Sequence, residues 1–467
     1  MKKQTLIKWC LVLSLMLTSM ASAWAKPKHL LIVTVTYGFP HTSIPTAENV
    51  LTVLGAQSGL FTVDIVRSGP RPKDKAEEAK WEDTARRALA EKMSVDALKQ
   101  YDGVIFANTT GDLPLPDKDA FIQWIKSGKA FIGMHSCSDT FRESPPFIGY
   151  PPFIEMLGGE FLIHHAQARV DCLNQDPRHP ATQHFGPAFN VFDEIYLLKN
   201  FRRNRVHGLL TLDKHPNTGM PGDYPIAWCK TVGKGKIFYT SLGHREDVWT
   251  NDAYQKHVLG GIKWALGLES GNSTPQSTGA KLAAAEIKDG FRPLFNGANL
   301  AGWKLRHPEG RPSWTVENGM LVNTVDKEPG TDLVSEEKFR DFTARYEYMI
   351  PKGANSGFYL RGRYELQIID DFESRKSAPG GNGAIYSFQP VSLFASRAPG
   401  EWQQVEATIQ GNRVTMILNG VKVHDNVEVP RPTGGELDAN LNDPGPIFLQ
   451  GDHGSVAFRN IRIKPLK

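Results

Sequence analysis

Apolar and polar positions follow two different rhythms along this chain. From His29 onward, short unbroken apolar runs alternate with helical patterns. "HLLIVTV", "FTVDIV", "YDGVIFANT", "KAFIGMH" and "GKIFYTSLGH" read as buried strands. Between and after them, "IPTAENVLTVLGAQSG", "DKDAFIQWIKSG" and "NDAYQKHVLGGIKWALG" read as helices. Pro45 suits a first helical turn, and Gly59 and Gly128 suit helix ends. Strand and helix in this alternation predict a mostly parallel sheet covered by helices. Residues 270–281, "SGNSTPQSTGAK", have the small, polar composition of a linker. Beyond it the period shortens to two. "RVTMILNGVKVHDN" predicts a hairpin turning on Asn419-Gly420, and "GSVAFRNIRI" a last strand. Short strands with Gly/Pro turns predict an all-β jelly-roll sandwich. The expected organisation is a signal peptide over 1–25, an α/β domain over 26–269, a linker over 270–286 and a β-sandwich over 287–467.

The signal peptide rests on Lys2 and Lys3, the apolar run Leu11–Leu17 and two A-x-A sites ending at Ala23 and Ala25. The run is shorter than the ~20 residues of a membrane span. It predicts a bacterial protein that is periplasmic or secreted. With 40% apolar and 22% charged residues the chain is that of a folded protein, and its formal charge is +4. Removing Lys2, Lys3 and Lys8 leaves a near-neutral chain with no electrostatic reason to bind nucleic acid. Cys137, Cys172 and Cys229 remain and cannot all pair, which excludes a disulfide framework.

Parallel sheets place ligands at the carboxyl ends of their strands. His41, His135 and His244 follow three such ends, and "FLIHH" adds His164 and His165. Gathered histidines point to acid–base work or metal ligation; a divalent metal is compatible with them, and no cofactor is specified. The motifs "FPHTSI", "FIGMHS", "LGGEFLIHH", "FDEIY" and "VGKGKIFYTSLGH" resemble the ThuA-like (trehalose utilization) family over about residues 28–268. The resemblance implies a flavodoxin-type fold akin to class I glutamine amidotransferases. In those enzymes a cysteine nucleophile occupies the turn where His135 stands here, with Cys137 two residues on. Glutaminase chemistry is therefore not expected.

In "NSGFYLRGRYELQIIDD", residues 355–371, Phe358, Leu360, Tyr364, Leu366 and Ile368 share one strand parity. Tyr359, Arg361, Arg363, Glu365 and Gln367 share the other. The stretch, with "LFNGANLAGWK", "WTVENGMLV", "GAIYSF" and "LQGDHGSVAFRNIRI", resembles the 3-keto-disaccharide hydrolase family, a concanavalin-like jelly roll, over about residues 287–466. The resemblance implies a sugar substrate bearing a C3 ketone, and a sugar 3-dehydrogenase as functional partner. A C3 ketone acidifies the C2 proton, so a base and an enolate stabiliser can expel the C1 substituent. The expected base is Glu365 or His453, and the expected stabiliser Arg361. Asn355, Tyr359 and Gln367 are expected to bind the sugar. Asp370 is expected at the site, with Asp371 as the alternative on strict alternation. The competing reading is a carbohydrate-binding sandwich whose chemistry, if any, belongs to the histidine pocket.

Overall fold

The computed structural model describes residues 26–69, 71–144, 147–276, 282–325 and 327–466, so the expected signal peptide lies outside the described residues. The N-terminal domain is built on a nine-stranded sheet. Its strands run in the order Phe61–Val66, Lys28–Val33, Gly103–Ala107, Ala130–Met134, Gly235–Thr240, Pro221–Val232, His207–Lys214, Ala168–Asn174 and Ala188–Asp193. The first five pair in parallel and the rest antiparallel. Each parallel strand carries apolar side chains on both faces. Leu30 and Ile32 enter one core while Leu31 and Val33 enter the other, which is why these strands read as unbroken apolar runs.

The expected helices form over Ile44–Ser58, Lys118–Lys126 and Asp252–Ala265. The first ends at Gly59 with φ 65°, a left-handed cap. One helix, Lys75–Met93, has no apolar run of its own. It buries only Trp81, Ala85, Leu89 and Met93, one stripe of a largely charged surface. A separate ribbon of Glu160–His164 paired with Tyr196–Lys199 sits apart from the main sheet.

The C-terminal domain consists of two antiparallel sheets sharing one core. The larger runs Trp314–Glu317, Met320–Asn323, Val456–Pro465, Phe342–Met349, Gln403–Gln410, Arg413–Leu418 and Val421–Glu428, with Arg292–Pro293 added against Val456–Pro465. The smaller runs Trp303–Leu305, Leu333–Phe339, Gly445–Leu449, Asn355–Leu360 and Tyr364–Ile369. The Asn419-Gly420 hairpin forms as expected, with left-handed φ at both residues (51° and 84°).

The stretch read as a linker is anchored at both ends. The Gln276 amide donates to the Gly208 carbonyl (2.9 Å), and His207 Nδ1 donates to the Thr274 carbonyl (2.9 Å). On the far side, the helix Ala284–Lys288 is bound through Glu286 to Arg345 and Arg462 of the sandwich. Among the described residues no helix is long and apolar enough to cross a membrane. Cys137, Cys172 and Cys229 are buried free thiols.

Candidate functional site

The sequence pointed to two sites, one in each domain. In the N-terminal domain His41, His135 and His244 converge at the carboxyl ends of the parallel strands, as expected. His135 follows the strand Ala130–Met134 with φ 45°, a left-handed backbone that costs a non-glycine residue about 1–3 kcal/mol. Its Nδ1 hydrogen donates to the Ser241 carbonyl (2.8 Å), which fixes the tautomer and turns the Nε2 lone pair into the cluster. His41 Nε2 lies 3.2 Å from His135 Nε2, and His244 Nδ1 lies 3.3 Å from it. A fourth member went unrecognised in the sequence. Glu194 Oε1 is 3.2 Å from His244 Nδ1 and 3.8 Å from His135 Nε2. The only signal was its place within "FDEIY", between His135 and His244 in the sequence but adjacent to neither. Asp193 draws it in by accepting the Gly243 N–H (2.7 Å), which ties the end of an edge strand to the His244 loop.

Burial pushes His41 down to about 4 and holds His135 well below the usual imidazole range. His244 moves the other way, raised by its hydrogen bond with Glu194. His164 stands at the outer edge, Nδ1 3.1 Å from Glu194 Oε2, while His165 turns away toward His215. The Cys137 thiol is buried in the core beneath the turn and its pKa is raised well above normal by burial, so it supplies no thiolate.

In the sandwich, Tyr359 pairs directly with Glu365, and Gly357 with Gln367, on the face turned away from the core. That face is covered rather than bathed in solvent: Glu365 is 3% exposed and Tyr359 1%. Two segments border it along the free edge of Tyr364–Ile369, and the second continues across Tyr359 at Gly435. Tyr386 N–H and Gly383 N–H donate to the carbonyls of Glu365 and Gln367, and the Thr433 hydroxyl accepts the Glu365 N–H (2.8 Å). Tyr359 stacks on Phe448 with ring centres 4.1 Å apart, and Arg306 sits 5.1 Å above Phe448. The Glu365 carboxyl lies directly over the Gly357 Cα, in space a larger residue would fill. Desolvation pushes its pKa up to about 7. The polar Tyr359 hydroxyl and the nearby His453 oppose the rise, while Asp452 and Asp332 add to it. His453 stands at the exposed rim, its Nδ1 held by Asp452 Oδ1 at 2.5 Å, which leaves Nε2 free. Two amide oxygens, Asn355 Oδ1 and Gln450 Oε1, are buried without a protein partner among the described residues. Gln450 N–H donates to the Gly357 carbonyl, so Gln450 adjoins the same strand.

Four expected residues do not join this group as expected. Arg361 shares parity with Glu365 only if the strand continues, and it does not. Arg361 and Gly362 form a tight turn with φ 55° and 66°, and the Arg361 guanidinium, 1% exposed, donates to the Gly411 carbonyl at a turn of the opposite sheet. Asp370 accepts the Gly353 N–H (2.9 Å), and Asp371 accepts the Asn382 N–H (2.8 Å) and the Ser396 hydroxyl (3.0 Å). Both are loop anchors beyond the strand. Gln367 is on the expected face, but it is 4% exposed and its amide oxygen accepts the Ile368 N–H. Arg363 forms a two-pronged pair with Asp438 (2.6 and 3.0 Å), holding the segment that covers the face.

Comparison with known proteins follows the same division. Residues 290–464 match the 3-keto-alpha-glucoside-1,2-lyase-like domain. A 3-keto-disaccharide hydrolase of Bacteroides thetaiotaomicron is 26% identical over 258 aligned residues, covering 42% of this chain and 89% of the relative. A Parabacteroides distasonis protein provisionally named a glycosyl hydrolase is 23% identical, with a TM-score of 0.35 over 40% of this chain and 99% of that one. A provisionally named ThuA-like protein of Parabacteroides merdae is 18% identical, with a TM-score of 0.42 over 53% of this chain and 92% of that one. Residues 29–265, about half of the chain, match the trehalose utilisation profile, and the chain belongs to the trehalose utilisation (ThuA) family, with a 3-keto-alpha-glucoside-1,2-lyase-like domain following.

Proposed function

We propose that this protein is an exported hydrolase that cleaves 3-keto-glycosides in its C-terminal domain, by proton abstraction and elimination followed by addition of water. The observation that carries the reading is the Glu365 carboxyl: desolvated, set opposite Tyr359 in the strand pair, and poised at about 7, where a base both ionises and retains proton affinity. Glu365 takes the C2 proton of the sugar. The C2–H electron pair forms a C2=C3 double bond and charge collects on the C3 oxygen. As that charge returns to a C3 carbonyl, the C1–O bond breaks and a C1=C2 double bond forms. His453, oriented by Asp452, gives the departing oxygen its proton. Water then adds across C1=C2 and restores the 3-keto sugar, so the net reaction is hydrolysis. No oxocarbenium ion arises, and the paired carboxylates of ordinary glycosidases are not required. Asn355 and Gln450 offer amide oxygens to sugar hydroxyls.

The strand order of the first five strands supports a flavodoxin-like reading of the N-terminal domain. The two antiparallel sheets over one core support a concanavalin-like jelly roll for the second. Cleavage of a 3-keto-glucoside by the purified chain, followed as release of the aglycone, tests the function. Activity is expected in the wild type and a ~100- to 10,000-fold loss in Glu365→Gln. Binding without turnover by the wild type would leave the domain a carbohydrate-binding module.

A further inference from the structure

The N-terminal cluster has a property that hydrogen bonding alone does not satisfy. The Nδ1 proton of His135 is committed to the Ser241 carbonyl, so its Nε2 presents one lone pair. His41 Nε2 (3.2 Å), His244 Nδ1 (3.3 Å) and Glu194 Oε1 (3.8 Å) all gather around that single atom. One proton can bridge one of these contacts and not all three. A cation at their centre would satisfy every one. The four ligand atoms lie within 4.8 Å of one another, and three of the separations are 3.2–3.3 Å. Ligands at ~2.0–2.1 Å around a tetrahedral ion stand roughly 3.3–3.4 Å apart.

We propose that His41, His135, His244 and Glu194 bind one divalent first-row transition ion of the zinc type. Three imidazoles and one carboxylate suit such an ion, whereas calcium and magnesium call for oxygen ligands. The surroundings are those of a supported site. The Ser241 carbonyl orients His135, and Ser136 Oγ is 3.3 Å from His41 Nδ1. His164 reaches the second carboxylate oxygen of Glu194. Tyr239 donates to the His135 carbonyl (2.8 Å) and steadies the left-handed turn. His244 and His164 are the more exposed members, 22% and 44%, so the ion would be reached from their side, where water or a sugar oxygen can join it. This site is independent of the sandwich and of the proposal made for it.

The test uses the full chain, stripped with chelator and titrated with Co²⁺, with Zn²⁺ as competitor. One equivalent of Co²⁺ per chain is expected, with visible ligand-field bands that Zn²⁺ abolishes. His244→Ala and Glu194→Gln should each weaken binding at least tenfold, while His165→Ala, on the side chain that turns away toward His215, keeps full stoichiometry and affinity; circular dichroism checks that each variant is folded. X-ray absorption on zinc-loaded wild type should read imidazole and oxygen scatterers at ~2.0–2.1 Å, a result that does not depend on any variant folding. Absence of stoichiometric uptake by the wild type would overturn the proposal and leave a proton-sharing histidine cluster. So would sulfur scattering at ~2.3 Å, or unchanged affinity in folded His244→Ala and Glu194→Gln.

Discussion

Adding a single methyl group at Gly357 should disable Glu365 without disturbing the fold at large. Gly357 lies opposite Gln367 in the strand pair, and its φ is not in the left-handed region, so alanine suits the backbone there. The added Cβ would come within 3.0 Å of Glu365 Cδ and of Tyr359 Cε2, and closer still to Glu365 Oε1. Ordinary contact needs about 3.5–4.0 Å, so the carboxyl must move by roughly 0.5–1 Å. The covering segment through Thr433 and Tyr386 limits where it can go. A misplacement of ~1 Å at a reacting group costs about 100-fold in rate, and overpacking costs about 1–3 kcal/mol of stability. The assay pairs turnover of a 3-keto-glucoside with urea unfolding of Gly357→Ala. Shortening the acid relieves the clash, so Gly357→Ala/Glu365→Asp should be more stable than the sum of the two single changes implies. A folded Gly357→Ala protein with turnover within threefold of wild type would refute the placement of Glu365 as base.

The pH dependence has a fixed sign. The base must be ionised, so kcat/KM should rise with pH and reach half its plateau near 7, and a profile already flat from pH 5 would contradict this. Stability runs oppositely: between the unfolded value near 4.5 and about 7 the folded chain holds a proton that the unfolded chain has released. Glu365 therefore costs the fold increasing free energy as pH rises through that window, at most about 3 kcal/mol, and Glu365→Gln should flatten this part of the curve measured by denaturant titration. Arg361→Met should lower stability by about 1–3 kcal/mol by stripping the Gly411 carbonyl of its donor, with turnover per folded molecule kept; a selective loss of turnover would return Arg361 to the catalytic group. Cys137, Cys172 and Cys229 should resist a thiol reagent until denaturant is added, and ammonia release from glutamine should be absent.

Local pattern was readable where one element settled it. The parallel strands, their helices and the Asn419-Gly420 hairpin all declared themselves through period and turn chemistry. Parity correctly separated Phe358, Leu366 and Ile368 from Tyr359 and Glu365. It failed at Arg361, because the left-handed turn at Arg361 and Gly362 ends the strand and sends the guanidinium toward Gly411. Alternation also could not show that the polar face is roofed, since the roof comes from residues near Tyr386 and Thr433, distant in sequence. Glu194 was hidden for a related reason. It follows an edge strand at the antiparallel end of the sheet, and only the Asp193–Gly243 hydrogen bond reveals how it reaches histidines on the parallel strands. The helix Lys75–Met93 escaped notice because one thin apolar stripe does not stand out from its charge.

Exchange at the sugar C2 position reports the proposed first step itself. Wild-type protein incubated with a 3-keto-glucoside in heavy water should place deuterium at C2, in recovered substrate or in product, and Glu365→Gln should lose that label in step with cleavage. Cleavage by the wild type with C2 left unlabelled throughout, or undiminished labelling by folded Glu365→Gln, would contradict the account.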